Sequence, residues 1–421
     1  MKQPPGFSAY IVVTAAYWAF MLTDGALRML VLLHFHMLGF SPVQLAYLFV
    51  FYEIAGVITN FSAGWIATRF GLASTLYAGL GLQVIALLAL VQLDPSWSVT
   101  ASVTFVMLIQ GASGVAKDLT KVSSKSAIKI LAPKDQSGLF RWVATLTGSK
   151  NAVKGSGFLL GAVLLAVFGF VPSVLTMALM LFGVLVAIVY CLPTGLPSGR
   201  KGVNIYQVFS TNDNINWLAA SRLFLFGARD VWFVVGIPIY FYTVLSDGSL
   251  EGNRAAFFII GAFMAAWTIL YGVVQIWAPQ ILKVKLRSNT ELIAQAKYWC
   301  ASLFFVPAVL SLVIWSIPEP TQKLTLTIVF GLMLFGAIFA VNSCLHSFLI
   351  LSFTEAKRVT MDVGFYYAAN AAGRLIGTLA SGFSYQIAGL PLCIAVAAGM
   401  IGLSWLGTLK IRVQNFCPNE N

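Results

Sequence analysis

Residues Pro172–Leu192 read PSVLTMALMLFGVLVAIVYCL, 21 residues without one charge, and the next 22, Pro193–Asn214, read PTGLPSGRKGVNIYQVFSTNDN. An apolar run of about 20 residues is long enough to cross a bilayer as a helix. The polar stretch behind it, with Pro193, Gly195, Pro197, Gly199 and Gly202, reads as a connection. Together they sit near the middle of the chain. Working outward, the apolar pattern recurs at roughly 8–37, 44–67, 73–92, 99–128 and 139–168 on one side. On the other it recurs at roughly 214–245, 254–282, 291–317, 324–351, 360–389 and 391–412. The expected fold is an all-α membrane protein of twelve transmembrane helices. Two six-helix bundles, 1–192 and 214–421, flank a linker at 193–213.

Composition excludes a soluble protein. The 421 residues are 59% hydrophobic and 10% charged, against about 45–50% and about 25% in ordinary soluble domains. Met1–Ser8 lead directly into an apolar run with no small-residue cleavage site, so the first helix is expected to stay attached. The formal net charge is +12. Its placement gives it meaning. One set of loops holds Arg69, Lys134, Arg200, Lys201, Lys283, Lys285, Arg287, Lys357 and Arg358, and the ends of the chain add Lys2, Lys410 and Arg412. The opposite set holds only Arg254 and Lys323 as basic residues. The positive-inside rule therefore places the first set, the linker and both termini in the cytoplasm. The lipid bilayer of the plasma (cell inner) membrane is the expected surroundings. Nucleic acid is not an expected partner, and a monomer is the expected state.

An internal echo supports the division. The fifth span contains Lys150-Asn151-Ala152-Val153-Lys154-Gly155, and the eleventh contains Ala369-Asn370-Ala371-Ala372-Gly373-Arg374. Each sets an Asn-Ala pair about a turn before a basic residue. Small residues follow, Gly157 and Gly161 in one and Gly377 and Ser381 in the other, which lets helices approach closely. Two halves of six helices is the plan of the major facilitator superfamily. The loop Gly64-Trp65-Ile66-Ala67-Thr68-Arg69-Phe70-Gly71 resembles that superfamily's signature loop. Thr68 stands where Asp is usual, which removes the charge for the interdomain contact made by that Asp.

Charges inside spans are costly, about 2.5–3.5 kcal/mol each at the bilayer centre on the insertion scale, and mark cavities or pairs. Asp24 and Arg28 share a face of the first span, as an ion pair or as cavity lining. Glu53 in the second span carries a coupling proton or pairs with a neighbouring helix. The fourth span repeats Lys117, Lys121, Lys125 and Lys129 every four residues, with Asp118 beside them. The fifth carries Lys150, Asn151 and Lys154. The seventh carries Arg222, Arg229 and Asp230. The eleventh carries Asn370 and Arg374, with no acid near Arg374 in sequence. The first, fourth, seventh and tenth spans are expected to line a strongly positive cavity, with neighbours contributing. Its expected ligands are Arg28, Lys117, Lys121, Lys150, Asn151, Lys154, Arg222, Arg229, Asn370 and Arg374, with Lys150, Lys154, Arg229 and Arg374 as the core. Asp24, Glu53, Asp118 and Asp230 are the coupling or charge-pairing acids. Arginine forks and lysine point charges suit phosphate-like oxyanions.

His34 and His36 point to different faces of their helix, and His346 is alone. Cys191, Cys300, Cys344, Cys393 and Cys417 form no CxxC or metal spacing. The three scattered histidines and the absence of a metal-spaced cluster argue against a membrane-embedded enzyme, and with no GxxxxGK[ST] run an ATP-driven pump is not expected. No cofactor is expected.

At the charged residues the chain resembles a known family. The stretches are Tyr17–Arg28 (YWAFMLTDGALR), Ala116-Lys117-Asp118-Leu119, Ser124-Lys125-Ser126, Leu146–Asn151 with Lys154-Gly155, and Arg222–Phe233 (RLFLFGARDVWF). They resemble the ArsJ family of organoarsenical efflux permeases, from the first span to about the eighth. That resemblance implies export of 1-arseno-3-phosphoglycerate. It also implies a functional partner, the glyceraldehyde-3-phosphate dehydrogenase that makes this ester from arsenate. The ester breaks down outside, and the outcome is arsenate resistance. Proton antiport is the expected coupling. A sugar-phosphate or other organophosphate transporter would use the same cationic site. Direct arsenite export would want clustered thiolates, which the five cysteines do not offer.

Overall fold

The computed structural model describes residues 7–131, 136–191, 212–283, 288–317, 319–354 and 359–412. Most of the linker, and the side chains of Thr68, Lys125, Lys129 and Arg141, lie outside the described residues.

Every long element is a helix, because backbone polar groups in lipid must be satisfied within the segment itself. The N-terminal half comprises α1 (Phe7–Met37), a short α2 (Pro42–Tyr47), α3 (Val50–Phe70), α4 (Leu72–Leu90), α5 (Val99–Leu131), α6 (Gln136–Phe168) and α7 (Phe170–Cys191). The C-terminal half comprises α8 (Asp213–Val231), a π-helical turn (Trp232–Gly236), α9 (Ile237–Leu245), α10 (Leu250–Ile281), α11 (Asn289–Ser316), α12 (Gln322–Phe353) and α13 (Val359–Leu409).

Among the described residues, eleven helices are long and apolar enough to cross a membrane. The last, α13, runs 51 residues, too long for one passage through a hydrocarbon core about 30 Å thick. It breaks at Ala388 (φ −147°, ψ 25°) and Gly389 (φ 67°, ψ −156°), so it makes two crossings and the total is twelve. Gly389 is the natural residue there, since a positive φ strains any side chain. Two breaks were not visible in the sequence. The second span divides at Leu48–Phe49 into α2 and α3, and the seventh is interrupted by the π turn just after Asp230.

Small residues set the packing within each half. In the first, Gly157 and Gly161 of α6 press on the backbone of α1 at Leu22 and Ala26. In the second, Gly373 and Gly377 of α13 press on the backbone of α8 at Leu223 and Gly227. The echo between the fifth and eleventh spans thus has a packing meaning: each lies against the first helix of its own half. The halves meet along two seams, α6 against α10 and α3 against α13.

Candidate functional site: a buried charge network across the two halves

The charged residues converge near the α3–α13 seam. Asp24 on α1 accepts 2.6 Å hydrogen bonds from the Tyr52 hydroxyl of α3 and from Lys154 Nζ of α6. The adjacent Glu53 is fully buried and receives Arg28 of α1 on one oxygen at 3.3 Å. Its other oxygen receives Arg374 of α13, from the opposite half. Arg374 also approaches Asp230 of α8 at 3.7 Å, and Asp230 is bound by Arg229 at 2.5 Å. Charges therefore alternate from one half into the other: Arg28, Glu53, Arg374, Asp230, Arg229. Aromatic faces back the cations, with Arg28 over Phe49 and Arg229 over Phe226, both at 5.0 Å.

Of the two readings of Asp24 and Arg28, the structure excludes the mutual pair. They lie one turn apart on α1 but face Tyr52 and Glu53 on α3, so each finds a partner on another helix. Arg374, with no acid near it in sequence, meets two in space, on α3 and α8. Three of the four expected core cations, Lys154, Arg229 and Arg374, are thus already on carboxylates. The tenth span contributes no charge to this network, only Ser343 behind Arg222.

On α5, Asp118 accepts from Lys121 at 3.1 Å and lies 2.5 Å from the Thr59 hydroxyl of α3. Lys121 also donates to Asn60 at 2.8 Å. Lys117 reaches Asp118 only at 4.0 Å and rests 4.0 Å from the centre of the Tyr52 ring. A recess beside Asp118, lined by Thr59, Ile66, Leu119 and Val122, is too narrow to hold a water molecule.

In the second half Arg222 is buried, and no carboxylate pairs with it among the described residues. It donates to the carbonyl and the hydroxyl of Ser343, both at 3.0 Å, and lies between the rings of Phe226 and Tyr366. Its Nε has no partner. Asn151 donates to Gln275 of α10 at 3.1 Å, across the other seam. Lys150 is half-buried, and the Asn370 carbonyl oxygen is buried without a partner. Among the described residues no cluster of His, Cys, Asp and Glu has the makings of a metal site.

Sequence reasoning missed Tyr52, Thr59, Asn60, Ser343 and Tyr366. The first three were within reach, because Thr59 and Asn60 lie seven and eight residues after Tyr52, and Asn60 seven after Glu53, so they share one side of α3.

No family model matches the chain, and no curated protein matches its sequence. Solved structures do match. A bacterial homologue of the iron transporter ferroportin, outward-facing, is 15% identical over 96% of this chain and 99% of that one, with a TM-score of 0.63. The nucleoside transporter NupG is 15% identical over 96% and 98%, with a TM-score of 0.70. A structure described in work on proton-dependent oligopeptide transporters is 12% identical over 95% and 97%, with a TM-score of 0.67. The chain therefore has the fold of major facilitator transporters, carried over nearly its whole length.

Proposed function

We propose that this protein is a secondary transporter that exports an organic polyanion, 1-arseno-3-phosphoglycerate, out of the cell, and that its activity gives arsenate resistance. The observation that carries this is the charge imbalance inside the spans. Arg28, Lys117, Lys121, Lys150, Lys154, Arg222, Arg229 and Arg374 are eight cations, against the carboxylates Asp24, Glu53, Asp118 and Asp230 and a fifth, Asp362, buried at the start of α13. The surplus of three positive charges among these groups calls for a ligand with several negative ones, since an uncompensated buried charge costs several kcal/mol. A molecule with a phosphate and an arsenate group supplies them. The fold supports a transporter, and the resemblance around Asp24, Lys117, Lys150 and Arg229 names the ester.

In this reading the chain works as a monomer in the plasma membrane with both termini in the cytoplasm. A glyceraldehyde-3-phosphate dehydrogenase supplies the ester. The inside-negative potential drives a polyanion outward, by roughly 2.3 kcal/mol per charge per 100 mV. The test is uptake by everted vesicles of radiolabelled arsenate ester, formed in place by the dehydrogenase. Uptake is expected with the ester and not with arsenate alone. Equal uptake of 3-phosphoglycerate and other phosphate esters would instead identify a general organophosphate transporter.

A further inference from the structure

Each carboxylate of the network is held by two groups. Asp24 has Lys154 and Tyr52, and Glu53 has Arg28 and Arg374. Asp118 has Lys121 and Thr59, and Asp230 has Arg229 on one oxygen, with its other oxygen 3.7 Å from Arg374 and without a hydrogen bond. Adding a proton to Asp24, Glu53 or Asp118 forfeits a charge-assisted bond, and one on Asp230 weakens its attraction to Arg229 and Arg374. The cations are held too, with one exception. Lys154 sits 2.6 Å from Asp24, Lys121 donates to Asn60 Oδ1 and Asp118 Oδ1, and Lys150 has a partner. Arg222 lacks an acid, but a guanidinium does not give up its proton in a protein.

Lys117 is the exception. Its side chain is 8% exposed, its nearest carboxylate oxygen is 4.0 Å away, and no hydrogen bond fills its donors among the described residues. A buried ammonium has three N–H donors to satisfy, and the face of the Tyr52 ring satisfies none of them as a hydrogen bond would. The ammonium also has a distinctive position. It lies 3.8 Å from where a Cβ on Gly56 would stand, and that same point is 3.6 Å from Ala371 Cβ of α13. Its tip is therefore at the seam between the halves, where any change of access must occur.

We propose that Lys117 is the proton-exchanging group of this transporter, charged while an anion occupies the central site and neutral when the site is empty. When the anion leaves, one N–H bond of the ammonium breaks. The proton passes to water entering the seam, and the electron pair stays on Nζ as the amine lone pair. The groups facing Lys117 accommodate this. They are Asp24 of α1, Tyr52 and Glu53 of α3, Asp118 and Lys121 of α5, and Arg374 of α13, with Lys154 of α6 behind Asp24. Burial away from water favours the neutral amine and Arg374 repels the ammonium, while Asp118, Glu53 and Asp24 attract it. An incoming anion reverses the balance and draws the proton back. Proton and anion then travel together rather than in exchange, and each turnover moves one negative charge fewer than the anion carries. A lysine, not Glu53 or Asp24, carries the coupling. The inference rests on the anion-transport reading above.

The test uses the full chain in detergent with sulfate as probe, because sulfate's own protonation does not change near neutral pH. Calorimetry in buffers of different ionisation enthalpy counts protons taken up on binding. The wild type is expected to take up to one proton per sulfate, and Lys117→Arg none. Sulfate affinity of the wild type should fall by up to tenfold per pH unit on the alkaline side, and that of Lys117→Arg should stay flat. A second measurement does not depend on any anion. A lysine that becomes neutral only in the folded protein makes folding release a proton, so the wild type should gain stability over Lys117→Met as pH rises. Parallel melting curves, or equal proton counts in wild type and Lys117→Arg, overturn the proposal. If sulfate does not bind while the melting curves diverge, the anion reading fails and the exchangeable proton on Lys117 stands.

Discussion

Arg374→Gln and Glu53→Gln cut the same inter-half contact from opposite sides, and their effects should differ. Removing Arg374 leaves each of its acids one cation: Glu53 keeps Arg28 at 3.3 Å and Asp230 keeps Arg229 at 2.5 Å. The stability cost is then that of lost charged hydrogen bonds, about 1.5–3 kcal/mol. Removing the charge of Glu53 leaves Arg28 with no acid and Arg374 with only Asp230 at 3.7 Å. That approaches the about 3–5 kcal/mol of a broken buried pair. Glu53→Gln should therefore melt lower than Arg374→Gln. Function should rank the other way. Arg374→Gln removes a cation from the site and should lower anion affinity about ten- to a hundred-fold. Glu53→Gln frees two guanidiniums and should keep that affinity. The assays are melting in detergent and transport per folded molecule in everted vesicles. If Arg374→Gln melts below Glu53→Gln and transports normally, the cross-half pair is structural and the anion binds elsewhere.

Further outcomes are expected. Cells producing the protein together with the dehydrogenase should survive arsenate better and arsenite no better; equal protection against both would point to another substrate. In a background without native cysteines, Ser249→Cys, in the exposed cap before α10, should react with an impermeant thiol reagent in intact cells. Ser288→Cys, in the exposed cap before α11, should not react; the reverse pattern would invert the topology. Gly161→Leu should sharply lower folded protein, because a side chain there collides with the α1 backbone at Ala26; normal abundance would show that α1 and α6 can separate. Arg229→Lys should impair transport if its fork, now on Asp230, turns to a ligand oxyanion.

The spans were legible because lipid imposes a length and a composition that local sequence displays directly. Even the boundary in the 51-residue α13 was readable at Gly389 and Pro391. The π turn at Trp232–Gly236 was not, since no residue type demands one. The charged residues were also readable one by one. Their pairing was not, because sequence displays neighbours on one helix and the network is built between helices. Asp24 and Arg28 looked like a pair at four-residue spacing, yet Lys154 lies 130 residues from Asp24 and Arg374 lies 321 from Glu53. Lys154 and Arg374, expected in the core of the cationic site, have carboxylate partners on other helices, and Arg229 has its neighbour Asp230. Among the described residues Arg222 has no carboxylate partner, and Lys117 has one only at 4.0 Å.

The way the charges are apportioned between the halves bears on how the chain is made. The first six spans leave the ribosome before Arg374 exists, so Glu53 must enter lipid without it. On the insertion scale a lone acid at mid-membrane costs about 2.5–3.5 kcal/mol. Arg28 and Lys154 are already present to neutralise Glu53 and Asp24 from within the nascent half, and Asp230 emerges with Arg229 beside it. Each half is thus born with its own counter-ions, and Arg374 arrives last to join them. Two separately synthesised halves, residues 1–202 and 203–421, should accordingly insert independently and find each other in the bilayer.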